Sequence, residues 1–156
     1  MADVDKNGFL IDLSEKNYAN FWEADYETLS RPEQVFRAVW DLESDVNNGG
    51  FDQYFFNASG DTSFDVVNAL KAIGANKVAA VLSKAVALFG LDGPARDQSL
   101  REEQLENAGL GDEDLRAEKF EPLTAKFLEY PDDLTGLLYD YVLKNAANIR
   151  NVQLPV

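Results

Sequence analysis

The sequence predicts an all-α protein, a single compact helical domain of about six or seven helices. Three observations lead there. Apolar residues recur with the 3.6-residue period of helices buried on one face. Proline and glycine punctuate the chain into short segments, with no long linker, repeat or low-complexity tract between them. The 156 residues are 46% hydrophobic and 12% aromatic, enough to bury one core of ordinary domain size.

Taken in order, Ser14 is placed as the N-cap of a first helix, with residues 1–13 loosely ordered ahead of it. Its apolar positions Tyr18, Phe21, Trp22 and Tyr26 recur at i, i+3, i+4 and i+8. Ser30-Arg31-Pro32-Glu33 forms a capping box with proline in the first turn, leading into Val35, Phe36, Val39, Trp40 and Val46. That helix should stop at Asn47-Asn48-Gly49-Gly50, because paired glycines resist helix continuation. A short helix follows, with Phe51, Tyr54 and Phe55 on one face, and Ala58-Ser59-Gly60-Asp61 turns the chain.

Phe64 to Ile73 is the next helix, closed by Gly74, and Asn76 caps Val78 to Phe89, apolar nearly all round and so read as central. After the break at Gly90 to Pro94 come two acidic amphipathic helices, Asp97 to Asn107 and Asp112 to Tyr130, the second kinked or split at Pro122. Asp132 or Asp133 caps the last helix, which turns Leu134, Leu137, Leu138, Tyr141 and Val142 inward.

Charge narrows function. Fourteen Lys and Arg stand against 28 Asp and Glu, a net charge of −14, which repels nucleic acid and anionic lipid and favours basic partners. The acidity is regional. Residues 66–101 hold five basic and two acidic side chains, whereas 102–140 hold three basic and twelve acidic. With no Cys and no His, disulfide frameworks, zinc sites, thiol nucleophiles and histidine triads are excluded. No apolar run reaches the roughly 18 residues of a membrane span, and the acidic start is unlike a signal peptide, so the expected location is cytoplasmic.

Few motifs compete. Asp3-Val4-Asp5-Lys6-Asn7-Gly8 matches the first half of a calcium loop, but Ser14 stands where the closing bidentate Glu belongs. An acidic terminus turning at Asn7-Gly8 is the preferred reading. Asp41, Glu43 and Asp45, joined in space by Asp52, Asp61 or Asp65, would supply carboxylates for a metal or for acid/base chemistry. The i, i+4 spacing of Asp41 and Asp45 instead suits a solvated helix face. Asn57-Ala58-Ser59 is a formal glycosylation acceptor that means nothing without secretion. Lys71, Lys77, Lys84, Arg96 and Arg101 are too few and too interrupted for a nucleic-acid patch and are read as counterions of nearby carboxylates. The reading calls for no cofactor and no metal.

The feature closest to a function is the run Glu102, Glu103, Glu106, Asp112, Glu113, Asp114, Glu118 and Glu121. On helices, carboxylates at i, i+3 and i+4 stand about 5–6 Å apart, so rows on adjacent helices could imitate the phosphates of DNA, which repeat about every 3.4 Å of axis per strand. The competing explanation is plain solubility.

The run from Glu43 to Asp61, with Asn47-Asn48-Gly49-Gly50-Phe51-Asp52-Gln53-Tyr54-Phe55-Phe56-Asn57 at its centre, resembles the hallmark of a bacterial domain family that includes a characterised DNA-mimic protein. Ala69 to Ala75 and the apolar helix after it fit the same family, and the resemblance extends over residues 28–146. It implies an all-helical homodimer with a negative surface that occupies the DNA-binding face of a transcription factor. For the hallmark turn, the glycines should allow close chain approach, while Asn47, Asn48, Asp52, Gln53 and Asn57 satisfy buried backbone groups; a small polar pocket is the functional alternative. The expectation is a binding protein rather than an enzyme, with a basic DNA-binding protein as partner. A basic toxin is the alternative partner, and a carboxylate-based metal or enzyme site using Asp41, Asp45, Asp52 and Asp61 is the second alternative.

Overall fold

The helix that organises the molecule is the one with the strongest local signals. In the computed structural model, which describes residues 4–155, Ser30 Oγ accepts from the Glu33 amide at 3.2 Å while Glu33 Oε1 accepts from the Ser30 amide at 3.1 Å. This reciprocal cap starts the helix Arg31–Phe56. It is the third of eight α-helices: α1 (Lys6–Lys16), α2 (Tyr18–Trp22), α3 (Arg31–Phe56), α4 (Val66–Ala72), α5 (Asn76–Val86), α6 (Gln98–Asn107), α7 (Glu113–Leu128) and α8 (Leu134–Lys144). Short 3-10 turns at Tyr26–Thr28, Ala58–Asp65, Ala87–Phe89 and Ala146–Asn148 link them, and no strand occurs among the described residues.

α3 bends where its sequence says it must. Gly50 has φ +75° and ψ −171°, a region open essentially to glycine alone, and the helix resumes beyond it with a new direction. Phe51, Tyr54 and Phe55 then share one buried face, each with no exposed surface. Phe55 meets Phe89 at 4.7 Å and Phe120 at 5.5 Å, and Phe51 lies edge-on to Phe127 at 6.1 Å. Burying such rings contributes about 1.5–3 kcal/mol each before entropy.

Both arms of α3 are enclosed. α2, α4, α6, α7 and α8 all pack on it, so α3 is the central helix and α5, expected in that place, is peripheral. α5 buries Val78, Val81, Leu82 and Ala85 while presenting Lys77, Ala80, Ser83 and Lys84 to solvent. The near-neutral middle segment therefore lies beside the core rather than forming it.

The caps of α1 and α5 differ from expectation. α1 begins at Lys6 because the Asp5 carboxylate accepts from the Gly8 amide at 2.8 Å; residues 6–13 are helical, not loose, since Leu10 and Leu13 are buried and Phe9 lies edge-on to Tyr139 of α8 at 5.2 Å. Ser14 is inside α1 and donates to the Ile11 carbonyl at 2.7 Å, so it caps nothing. Asn76 is the first residue of α5 rather than its cap. The open end of α5 is closed from a distance instead, by Asp132 Oδ2 accepting from the Val78 amide at 2.9 Å, while Asp133 caps α8. α7 runs through Pro122 unbroken; Pro122 and Glu118, the residue whose carbonyl loses its helical donor to the proline, are both exposed positions.

Candidate functional site

Two buried or half-buried arginines determine which way α6 and α7 face. Arg101 of α6 has no exposed surface: its Nε donates to the Phe55 carbonyl at 2.8 Å, one terminal nitrogen to Asp61 at 2.9 Å and to the carbonyls of Ala95 and Arg96 at 3.1 and 2.7 Å, and the other to the Asn57 carbonyl at 2.9 Å. All five contacts lie toward the end of the α3 arm and the loop before α6. Read from sequence as a counterion of nearby carboxylates, Arg101 does pair with Asp61, and it is also a buried hub that donates to four backbone carbonyls. Arg116 of α7 pairs with Asp52 at 2.8 Å, donates to the Gly111 carbonyl at 2.8 Å and covers the Phe56 ring at 4.6 Å.

With the guanidinium groups turned in, the acids turn out. Glu103, Glu106, Asp112, Glu113, Asp114, Glu118 and Glu121 are exposed and Glu102 is half-buried. Not one of the eight forms an ion pair among the described residues. Asp112 has a second task, accepting from the amides of Asp114 and Leu115 as the α7 cap. The arginines elsewhere are occupied too: Arg31 with Asp65, Arg37 with Asp41, Arg96 with Glu27 and Arg150 with Glu33. At about 100° per residue, Glu113, Asp114, Glu118 and Glu121 fall on one flank of α7 and Lys119 and Lys126 on the other. Lys126 meets Lys77 and Lys84 in a shallow cleft there.

The hallmark residues knit the two arms of α3 together. Asn47 donates to the Glu43 carbonyl at 2.8 Å and to Tyr130 Oη at 2.7 Å. Gln53 and Asn57 donate to the two oxygens of Asp45 at 3.4 and 3.3 Å, across the bend. Asp52 holds Arg116, and Asn48 is exposed. The amide of Phe51 is satisfied from outside the motif, by Thr124 Oγ1 at 3.2 Å. Gly49 and Gly50 form one wall of a groove of about 460 Å³ that runs along α7.

The four carboxylates considered for metal or acid/base chemistry are kept apart by separate partners. Asp52 and Asp61 belong to Arg116 and Arg101, and Asp45 to Gln53 and Asn57. Asp41 does not lie on a solvated face as its spacing suggested. It is buried, accepting from Trp22 Nε1 at 2.7 Å and Thr62 Oγ1 at 2.9 Å, with Arg37 Nε at 3.9 Å. Burial lifts its carboxyl to about 7, against the lowering effect of those donors and of Arg37. Glu43 is raised by burial and partly offset by its bond from Tyr130. No group of three or more acidic side chains placed to hold a metal ion occurs among the described residues. Of the calcium-loop residues, Asp3 lies outside the described residues, Asp5 caps α1 and Asn7 is helical.

These features define a class: an all-helical acidic protein whose arginines are each paired with a carboxylate and whose α6 and α7 acids are left to solvent. A family model, the DMP19-like protein family, matches residues 27–145, and the chain belongs to that family. The match spans α3 to α8 and so contains both the hallmark bend and the acidic helices. Comparison with curated proteins and with solved structures gave no match. No helix among the described residues is long and apolar enough to cross a membrane.

Proposed function

We propose that this protein acts by binding, as a DNA mimic whose α6–α7 surface occupies the nucleic-acid-binding face of a basic DNA-binding protein. The observation that carries this reading is the separation of charge on α6 and α7: Arg101 and Arg116 turned inward, seven carboxylates exposed and Glu102 half-buried, with none of the eight in an ion pair among the described residues. A carboxylate without a cation of its own projects its field into solvent, where it steers a positive surface and releases that surface from DNA. Membership of the DMP19-like family supports the reading. The acids of residues 1–45 add to the same field.

The test is capture of partners from nuclease-treated native lysate on the immobilised protein, eluted with rising salt. A basic DNA-binding protein should be released by moderate salt and displaced by duplex DNA, and reversal of Glu102, Glu103 and Glu106 to Lys should abolish its capture. Partners indifferent to both DNA and the triple reversal would reject this surface. A captured basic toxin that ignores DNA would replace the mimicry reading with an inhibitory one.

A further inference from the structure

We propose that the groove between the α3 bend and α7 is the docking site for the apolar face of a basic amphipathic helix presented by the partner. This rests on the acidic-surface reading and deepens it, because it names the element of the partner that is held.

The groove combines two properties that a merely solvated face lacks. Its accessible apolar surface is Leu128, 47% exposed at one end, with Ala125 exposed and Ala117 half-buried, over the rings of Phe51 and Phe120 buried beneath them. Its rim carries Glu113 and Glu121, neither of them in an ion pair. Along α7 the lining runs from Glu113 to Leu128, about 22 Å at 1.5 Å per residue, which suits an elongate occupant of about four helical turns. Helix-in-groove recognition reads apolar anchors at i, i+3 or i+4 and i+7 against such a floor.

Charge chooses among occupants. A second copy of this chain brings a net charge of −14 of its own, and its carboxylates would oppose Glu113, Glu121 and the adjacent Asp114 and Glu118. A segment with Lys or Arg flanking its apolar stripe meets complementary sign at every rim position. The bend also keeps the site open. A Cβ built at Gly50 would lie 3.2 Å from Thr124 Oγ1 and 3.3 Å from its methyl group, closing the wall toward α7.

Two synthetic helices of about 18 residues, or five turns, serve as probes: one with a Leu stripe between lysines, the other with every Leu replaced by Ser at unchanged charge. Calorimetry in about 0.15 M salt, where screening acts over about 8 Å, should show the Leu helix binding at least tenfold more tightly, a difference of about 1.4 kcal/mol. Amide shifts should centre on residues 49–52 and 117–128. Ala125→Trp, at an exposed lining position, and Leu128→Ser should each remove the preference for Leu while leaving the Ser helix unaffected. Equal affinity for the two probes, or a preference that survives both variants, overturns the groove and leaves the acidic surface standing. Failure of both probes to bind overturns the groove and the acidic-surface reading together. A fall in sedimentation mass with Ala125→Trp would make the groove a contact between copies and also overturn the proposal.

Discussion

Asp41 is a carboxylate that the fold holds against its ionised form. In the unfolded chain it releases its proton near 3.8, whereas burial holds the folded group to about 7. Between those values the native state binds more protons than the unfolded state, so stability falls as pH rises through this window and the loss is complete above about pH 7. Glu33 acts in the opposite sense. Burial raises it, but Arg150 and the Ser30 amide leave it net lowered, so its contribution is present at neutral pH and disappears only as pH falls into the acid range. Asp41→Asn removes the charge, keeps one oxygen to accept from Trp22 and lets its amide donate to Thr62 Oγ1, whose hydroxyl then turns to the Ser59 carbonyl. In urea titrations from pH 5 to 8 the variant should lose the downward slope of the natural protein and exceed it at pH 8 by about 1–3 kcal/mol, the cost of a buried charge poorly compensated. Parallel pH profiles would contradict this account. The buried state of Asp41 was illegible in the sequence, because its donors arrive from residues 22 and 62 and the i, i+4 spacing with Asp45 describes any polar helix face.

At the scale of elements, what was legible was local. The capping box of α3, the bend at the glycine pair and the aromatic face beyond it are each written within a few neighbouring residues, and each formed as read. The misplaced caps have separate causes. The α1 cap, Asp5, is local, three residues before Gly8, and Ser14 is an equally good cap by residue type. α5, in contrast, is capped by Asp132, 54 positions away from Val78, and no sequence window holds both partners. The two glycines of the bend make separable predictions. Gly50 occupies a conformation that a side chain resists and faces Thr124, so Gly50→Ala should cost about 1–3 kcal/mol. Gly49 keeps a negative φ of −156°, but a Cβ there would lie 2.8 Å from the Gln53 Cβ, which no rotamer change can move. Gly49→Ala should therefore also cost about 1–3 kcal/mol, through overpacking rather than backbone conformation. Chemical denaturation of both variants checks this; a loss under about 0.5 kcal/mol at Gly49 would mean that the bend opens to admit the methyl group.

Across the whole molecule, the acidic run was visible as composition, but its isolation from cations was not, since that depends on where Arg101 and Arg116 point. Isolation has a thermodynamic signature. Glu118 stands four residues after Asp114 and three before Glu121, all three exposed and without ion pairs, and each like-charged neighbour costs about 0.2–0.5 kcal/mol. The buried contacts of Arg101 are shielded from salt, whereas repulsion among the exposed acids is screened over about 10 Å at 0.1 M. Added sodium chloride should therefore raise the unfolding midpoint, and a fall would assign the dominant electrostatic contribution to the arginine pairs instead. Glu118→Lys exchanges two repulsions for two attractions and should stabilise the fold by about 0.8–2 kcal/mol, flatten the salt dependence and weaken capture of the basic partner. That combination distinguishes binding from solvation: a surface kept for solubility would gain stability on charge reversal and lose no partner, whereas a binding surface gains stability only by giving up its target.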